Sequence, residues 1–181
     1  QLTTADGRDT QPSVSPGGGA LVFAREGQGI MRIDAEGRIH RVSDTRDSPF
    51  VDSLPAVNRE ADRVAWVRSD TSRPILRDGA ETGLFVTEIW VANADGTEAR
   101  PVNPKPDVVQ DAPAFDPTPR SARLAWSELN GATLGPNGPV DYGIWVEDLV
   151  NRGGRFVCQG AYEDPEAGVV RCFGQHLAWP E

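Results

Sequence analysis

One short phrase recurs four times in this chain and constrains its fold more than any single residue. Leu21-Val22-Phe23-Ala24-Arg25, Val64-Ala65-Trp66-Val67-Arg68, Leu124-Ala125-Trp126-Ser127-Glu128 and Leu177-Ala178-Trp179-Pro180-Glu181 each place an apolar residue, a small or branched one and an aromatic in a row. A proline precedes the first three at a similar offset: Pro12, Pro55 and Pro113. A second phrase follows, Ile30-Met31-Arg32-Ile33-Asp34-Ala35-Glu36-Gly37 and then Ile89-Trp90-Val91-Ala92-Asn93-Ala94-Asp95-Gly96, with Gly143-Ile144-Trp145-Val146-Glu147-Asp148 as a looser copy. Self-similarity at about 40 to 60 residues marks a repeat architecture, whose units bury their faces on one another.

Each unit parses into four short strands, because Val, Ile, Phe and Trp cluster in runs bounded by Gly, Pro, Asn and Asp. The first unit reads as Pro12–Val14, Leu21–Arg25, Ile30–Asp34 and Arg38–Val42. The second reads as Pro55–Val57, Val64–Arg68, Ile89–Ala92 and Glu98–Val102. Pro113–Phe115, Leu124–Trp126, Ile144–Glu147 and Arg155–Cys158 make the third. Four-stranded antiparallel units in series predict a small all-β propeller of about four blades. The whole chain, 1–181, is expected to be one domain with units at about 5–43, 52–103, 111–158 and 159–181, the last joined by residues 1–4. The fourth unit lacks its third strand, so the alternative is a partial propeller, truncated from a larger ring or completed by dimerisation. Monomer and homodimer both follow from this reading.

The phrases Gln1-Leu2-Thr3-Thr4, Pro12-Ser13-Val14-Ser15-Pro16-Gly17-Gly18 with Leu21-Val22-Phe23-Ala24, and Ile89-Trp90-Val91-Ala92-Asn93-Ala94-Asp95-Gly96-Thr97 resemble the TolB-type, WD-repeat-like β-propeller repeat. The resemblance covers most of the chain and weakens after about residue 128, where Asn151-Arg152-Gly153-Gly154 replaces the Asp-Gly turn. It implies a propeller fold. It is a poor guide to function, because such propellers serve as scaffolds, peptidase gates, lyases and sugar-binding modules.

The formal charge of −9, with Lys105 the only lysine beside seventeen arginines, argues against a nucleic-acid partner. No stretch approaches the roughly 18 apolar residues of a membrane helix, so no membrane insertion is expected. Cys158 and Cys172 flank a polar loop and are expected to form a disulfide, which implies an oxidising compartment. A bridge over about 15 residues contributes on the order of 3 kcal/mol. The alternative is two buried free thiols in a cytosolic protein. A periplasmic or extracellular location goes with the first reading.

Function is expected on the loops between second and third strands and between units: 43–52, 69–85, 103–111, 128–143 and 159–171. Together they carry a formal charge of −8, nearly all of the net charge. The binding residues expected there are Asp47, Asp52, Arg73, Arg77, Asp111, Asp141, Tyr142 and Tyr162. Arg73 and Arg77 frame Pro74-Ile75-Leu76, a tip suited to a protein interface. A protein partner is the first expectation and a polysaccharide the second, stacking on Phe50, Phe85, Tyr142 or Tyr162. Oxygen-rich loops also suit calcium, yet no ordered ligand run occurs and no metal site is assigned. No Gly-x-Ser-x-Gly elbow or phosphate loop is present, and acid pairs such as Asp47 with Asp52 are weak evidence among 27 acids. The chain is therefore read as a binding module, not an enzyme. Trp66, Trp126, Trp179, Trp90 and Trp145 recur at fixed places in the repeat and are expected to pack units together.

Overall fold

The computed structural model describes residues 7–77, 79–130, 142–150, 153–159, 161–164 and 169–171. They form strands joined by turns, without helices. The first sheet runs β1 (Asp9–Val14), β2 (Ala20–Arg25), β3 (Gly29–Asp34) and β4 (Ile39–Arg41), each antiparallel to the next. The second unit is β5 (Phe50–Val57), β6 (Arg63–Arg77), β7 (Ala80–Asn93) and β8 (Arg100–Val102). The third is β9 (Val108–Phe115), β10 (Arg123–Asn130), β11 (Tyr142–Asp148) and β12 (Gly153–Gln159). One parallel bridge, Thr87 to Val109, joins the second and third units through β7 and β9. A two-stranded hairpin, β13 (Ala161–Asp164) and β14 (Val169–Arg171), follows. Three four-stranded antiparallel blades in sequence order are the observed propeller architecture. The fourth-unit phrase Leu177-Ala178-Trp179 and the strand Gln1–Thr4 lie outside the described residues, as does Cys172 of the expected disulfide.

The alternation of each second strand explains the stacking, because successive side chains leave opposite faces of a strand. Val64 and Trp66 pack with Val22, Ala24 and Ile30 of the first blade. Ala65 and Val67, one residue out of phase, pack with Leu124 and Trp126 of the third. Trp66 and Trp126 are fully buried. Trp66 and Trp126 thus pack blade against blade, with Trp90 and Trp145 packed against the same clusters. The indole nitrogens of Trp66 and Trp126 have no hydrogen-bond partner, so their place calls for shape alone, and Phe23 holds it in the first blade.

Two sequence expectations are corrected. The first strands begin earlier than Pro12, Pro55 and Pro113, which stand inside β1, β5 and β9. The ladder accommodates each proline with a bulge, seen as register shifts between Thr10 and Ser13, between Ser53 and Ala56, and opposite Ala125–Ser127. The residues just before them, Gln11, Leu54 and Ala112, all have left-handed φ, 54°, 47° and 51°. The second correction concerns 69–85, which is not a loop. β6 and β7 continue as an antiparallel ribbon until Arg77 pairs with Ala80. Its ladder shifts register at Pro74, the residue that reads as a break in sequence.

Candidate functional site

Arg25 and Arg68 occupy the fifth place of the repeated phrase, at the end of the apolar run. Asp9 and Asp52 sit directly opposite them on the first strands. Each arginine grips its aspartate with two bonds, 2.7 and 2.9 Å in the first blade and 2.7 and 2.7 Å in the second. A planar guanidinium matches a carboxylate in this way, and such paired bonds are the strong ones. Asp52 also accepts a 2.5 Å bond from Ser43 Oγ, whose own oxygen accepts from Ile30 N at 2.8 Å. Asp52 therefore ties the link between blades to the core of both. Arg68 lies over Trp90, 4.3 Å from the ring centroid, and within 5.3 Å of Phe50.

The third blade reverses the polarity. Glu128 stands where the arginines stand, opposite Gln110. Gln110 Nε2 donates to Glu128 Oε2 at 3.2 Å, and Lys105 Nζ donates to Oε1 at 2.7 Å. The ammonium also sits 3.6 Å from the Trp145 ring centroid, the place that Arg68 takes over Trp90. The cation has moved from the second strand to the inter-blade link, and the pair is kept.

On the face that carries the β2–β3 turn and the inter-blade links, a cleft of about 380 Å³ opens between the first two blades. Arg8, Gln11, Arg25, Glu26, Phe50, Val51 and Asp52 line it. Phe50 also walls a smaller cleft of about 150 Å³ with Arg68, Asp70, Arg73, Glu88 and Trp90, at the root of the ribbon. Along the ribbon, Leu76, Leu84 and Phe85 are exposed by 58%, 38% and 37%, whereas Ile75 is buried. Acids of this face are also held in pairs. Asp44 is paired with Arg41 and Arg46, which hold it well below the usual carboxylate range, the Arg46 side-chain bond being the leading cause.

The expected site residues do not converge. Asp47 is exposed on the first inter-blade link with φ 58°. Asp52 is buried in its ion pair. Arg73 is exposed on the ribbon beside the smaller cleft, and Arg77 ends β6. Asp111 is exposed on β9, its Oδ1 accepting from Ala112 N at 2.8 Å. Tyr142 begins β11 and Tyr162 lies in β13. Asp141 lies outside the described residues. Among the described residues no group of three or more His, Cys, Asp or Glu side chains is placed to hold a metal ion. Sequence reasoning missed the cleft residues Arg8, Gln11 and Val51, because the bulges that turn the first strands are invisible without pairing. It also missed Leu84, which in sequence is only part of the 69–85 loop and stands exposed on β7.

No protein-family model matches the chain, and no curated protein matches it. Solved structures do. A TolB-type protein from Agrobacterium tumefaciens superposes with a TM-score of 0.59 over 86% of this chain and 50% of that one, at 12% identity. Dipeptidyl peptidase 4 of Porphyromonas gingivalis gives 0.64 over 86% of this chain and 26% of that one, at 16% identity. The tricorn protease gives 0.56 over 81% and 14%, at 19% identity. The chain therefore spans half the length of the first and a smaller part of the others. At such identities the likeness is one of fold: this chain is built as part of a β-propeller.

Proposed function

We propose that the protein is a binding module that engages a protein partner through the face bearing the β6–β7 ribbon, in the periplasm or outside the cell. The observation that carries this reading is the ribbon. β5 pairs with β6 no further than Asp70, and β8 pairs with β7 only at Ile89–Val91. About seven residues of each arm run on beyond β5, roughly 20 Å at strand rise. Blade packing does not need that length, yet it displays Leu76, Leu84 and Phe85 beside Arg73. Apolar side chains framed by charge are the usual composition of an interface centre. The location rests on the expected Cys158–Cys172 bridge and on the TolB-type resemblance.

The test is capture from a cell-envelope extract by the wild type, by the double variant Leu84→Asp with Phe85→Asp, and by Val14→Asp as a control. Val14 is 60% exposed on β1, away from the ribbon. The expected result is one or more proteins retained by the wild type and by V14D and lost with the ribbon variant, at unchanged melting temperature. Capture that ignores the ribbon overturns the reading. A glycan-array hit that depends on Phe85 would replace it with the carbohydrate alternative.

A further inference from the structure

The grip of Arg25 on Asp9 uses Nε and Nη2 and leaves Nη1 without a bond. Arg25 is only 6% exposed, yet Nη1 is not sealed in. Among the described residues, the buried side-chain nitrogens without a partner are Arg32 Nε and the indole nitrogens of Trp66 and Trp126. Nη1 therefore meets solvent in the cleft of about 380 Å³ that Arg25 lines. Further donors of that cleft are uncommitted. Gln11 Oε1 accepts from Leu54 N at 2.8 Å, which leaves the Nε2 end of the amide free. Arg8 is exposed, and among the described residues no carboxylate pairs with it. The Thr45 hydroxyl donates to nothing, although Thr45 is buried. Phe50 and Val51, 37% and 52% exposed, add apolar surface to the same cleft. Of its acids, Asp52 has both oxygens taken by Arg68 and Ser43, and Glu26 is exposed.

We propose that this cleft is a binding site for a small carboxylate that carries an apolar group, either a free organic acid or the carboxyl end of a peptide. Its uncommitted polar groups are chiefly donors, and guanidinium groups match the oxygens of a carboxylate. Arg25 shares its charge with Asp9, so Arg8 supplies the one uncompensated cation. That suits a single negative charge better than a dianion. Phe50 and Val51 give an apolar body a place to pack, which an inorganic anion would not use. The volume lies near the lower end of the roughly 300–1,000 Å³ of small-molecule sites, which keeps that body small. Asp9 holds Arg25 and Leu54 holds Gln11 before any ligand arrives, so binding orders few side chains. The site does not depend on the ribbon, since neither Arg73 nor Leu84 lines it.

The experiment follows backbone amide shifts of the full chain by NMR during titration with phenylacetate, phenylacetamide, acetate and N-acetylphenylalanine. The expected result with phenylacetate is saturable shifts grouped at residues 8–11, 25–29 and 45–53, the segments that line the cleft. Phenylacetamide, which lacks the charge, and acetate, which lacks the ring, should each bind at least about tenfold more weakly. Arg8→Gln should weaken phenylacetate by a similar factor. Gln11→Glu keeps an acceptor for Leu54 N but opposes an anion, so it should weaken binding too, whereas Glu26→Gln should tighten it. N-acetylphenylalanine binding more tightly than phenylacetate assigns the carboxylate to a peptide end, and weaker binding assigns it to a free acid. Shifts that fail to saturate or gather elsewhere overturn the proposal. So does an amide that binds as well as the acid, or Arg8→Gln and Gln11→Glu variants that bind like the wild type.

Discussion

A tryptophan whose indole N–H is buried without a partner contributes area and shape, not a hydrogen bond. Trp66 and Trp126 are both of this kind. Trp126→Phe, which copies the first blade's own solution at Phe23, should cost well under the about 3–5 kcal/mol of Trp126→Ala. Thermal melts of the two variants, compared with wild type, check this ordering. The carboxylate at the corner of the third blade makes a different prediction. Burial pushes Asp116 up, but bonds from Thr118 N, Ser121 Oγ and Arg123 outweigh it, so its pKa is lowered. A lowered folded-state pKa gives stability that is present above the unfolded value and lost as pH falls through the folded one. Wild type should therefore lose stability below about pH 4, the ordinary carboxylate range. Asp116→Asn should be less stable at neutral pH and show a flatter decline in acid, read by urea midpoints at pH 7 and pH 3. A parallel decline in both proteins would remove Asp116 from the acid response.

At the scale of the element, turns between first and second strands repeat one solution with three different sequences. Ser15, Asn58 and Asp116 each open the turn, and each takes the same backbone bond, from its own N–H to the carbonyl of Ala20, Arg63 and Arg123. The left-handed position in these turns is Gly18, Ala61 and Arg120, with φ of 74°, 59° and 60°. Arg120 is exposed, so relief of its backbone should exceed what glycine loses in unfolded-state entropy. Arg120→Gly is expected to stabilise by about 0.5–1 kcal/mol, or a few degrees in melting temperature. A fall in melting temperature would show that the arginine side chain matters more than its backbone. Gly29 is the reverse case. Its φ is 106°, and an added Cβ would lie 2.6 Å from the Ser43 carbonyl oxygen, so substitution there presses directly on the inter-blade link. These strands were legible because short runs of Val, Ile, Phe and Trp bounded by Gly, Pro, Asn and Asp are a strong signal. The ribbon was not, because Asp70-Thr71-Ser72 and Arg73-Pro74 carry turn chemistry while the cross-strand ladder that overrides it joins residues distant in sequence. Asp52 was read as a loop acid for a related reason: Pro55 looks like a strand start, and the bulge that admits it can be seen only in the pairing.

At the scale of the molecule, the repeat set the architecture, and departures from it set the individuality of each blade. The propeller class was legible from four copies of one phrase. The grouping of acids with arginines was not, since it depends on register: Asp9, Asp52 and Gln110 fall opposite the fifth phrase residue through three bulged strands. Among the described residues Asp44, Asp52 and Glu128 of that face are closed into ion pairs, and Leu76, Leu84 and Phe85 are left exposed to make contact. That is why the ribbon carries the functional reading and the acidic links do not.

The single lysine, set against Glu128 and Trp145, has a practical corollary. Side-chain amine chemistry on this protein has one target, Lys105, held between a carboxylate and an indole. Acylating it would abolish the charge and leave Glu128 with Gln110 alone, so the rate at which an amine reagent consumes Lys105 reports how often the ammonium leaves Glu128 and Trp145. The chain carries its own reporter, one that needs no mutation to install.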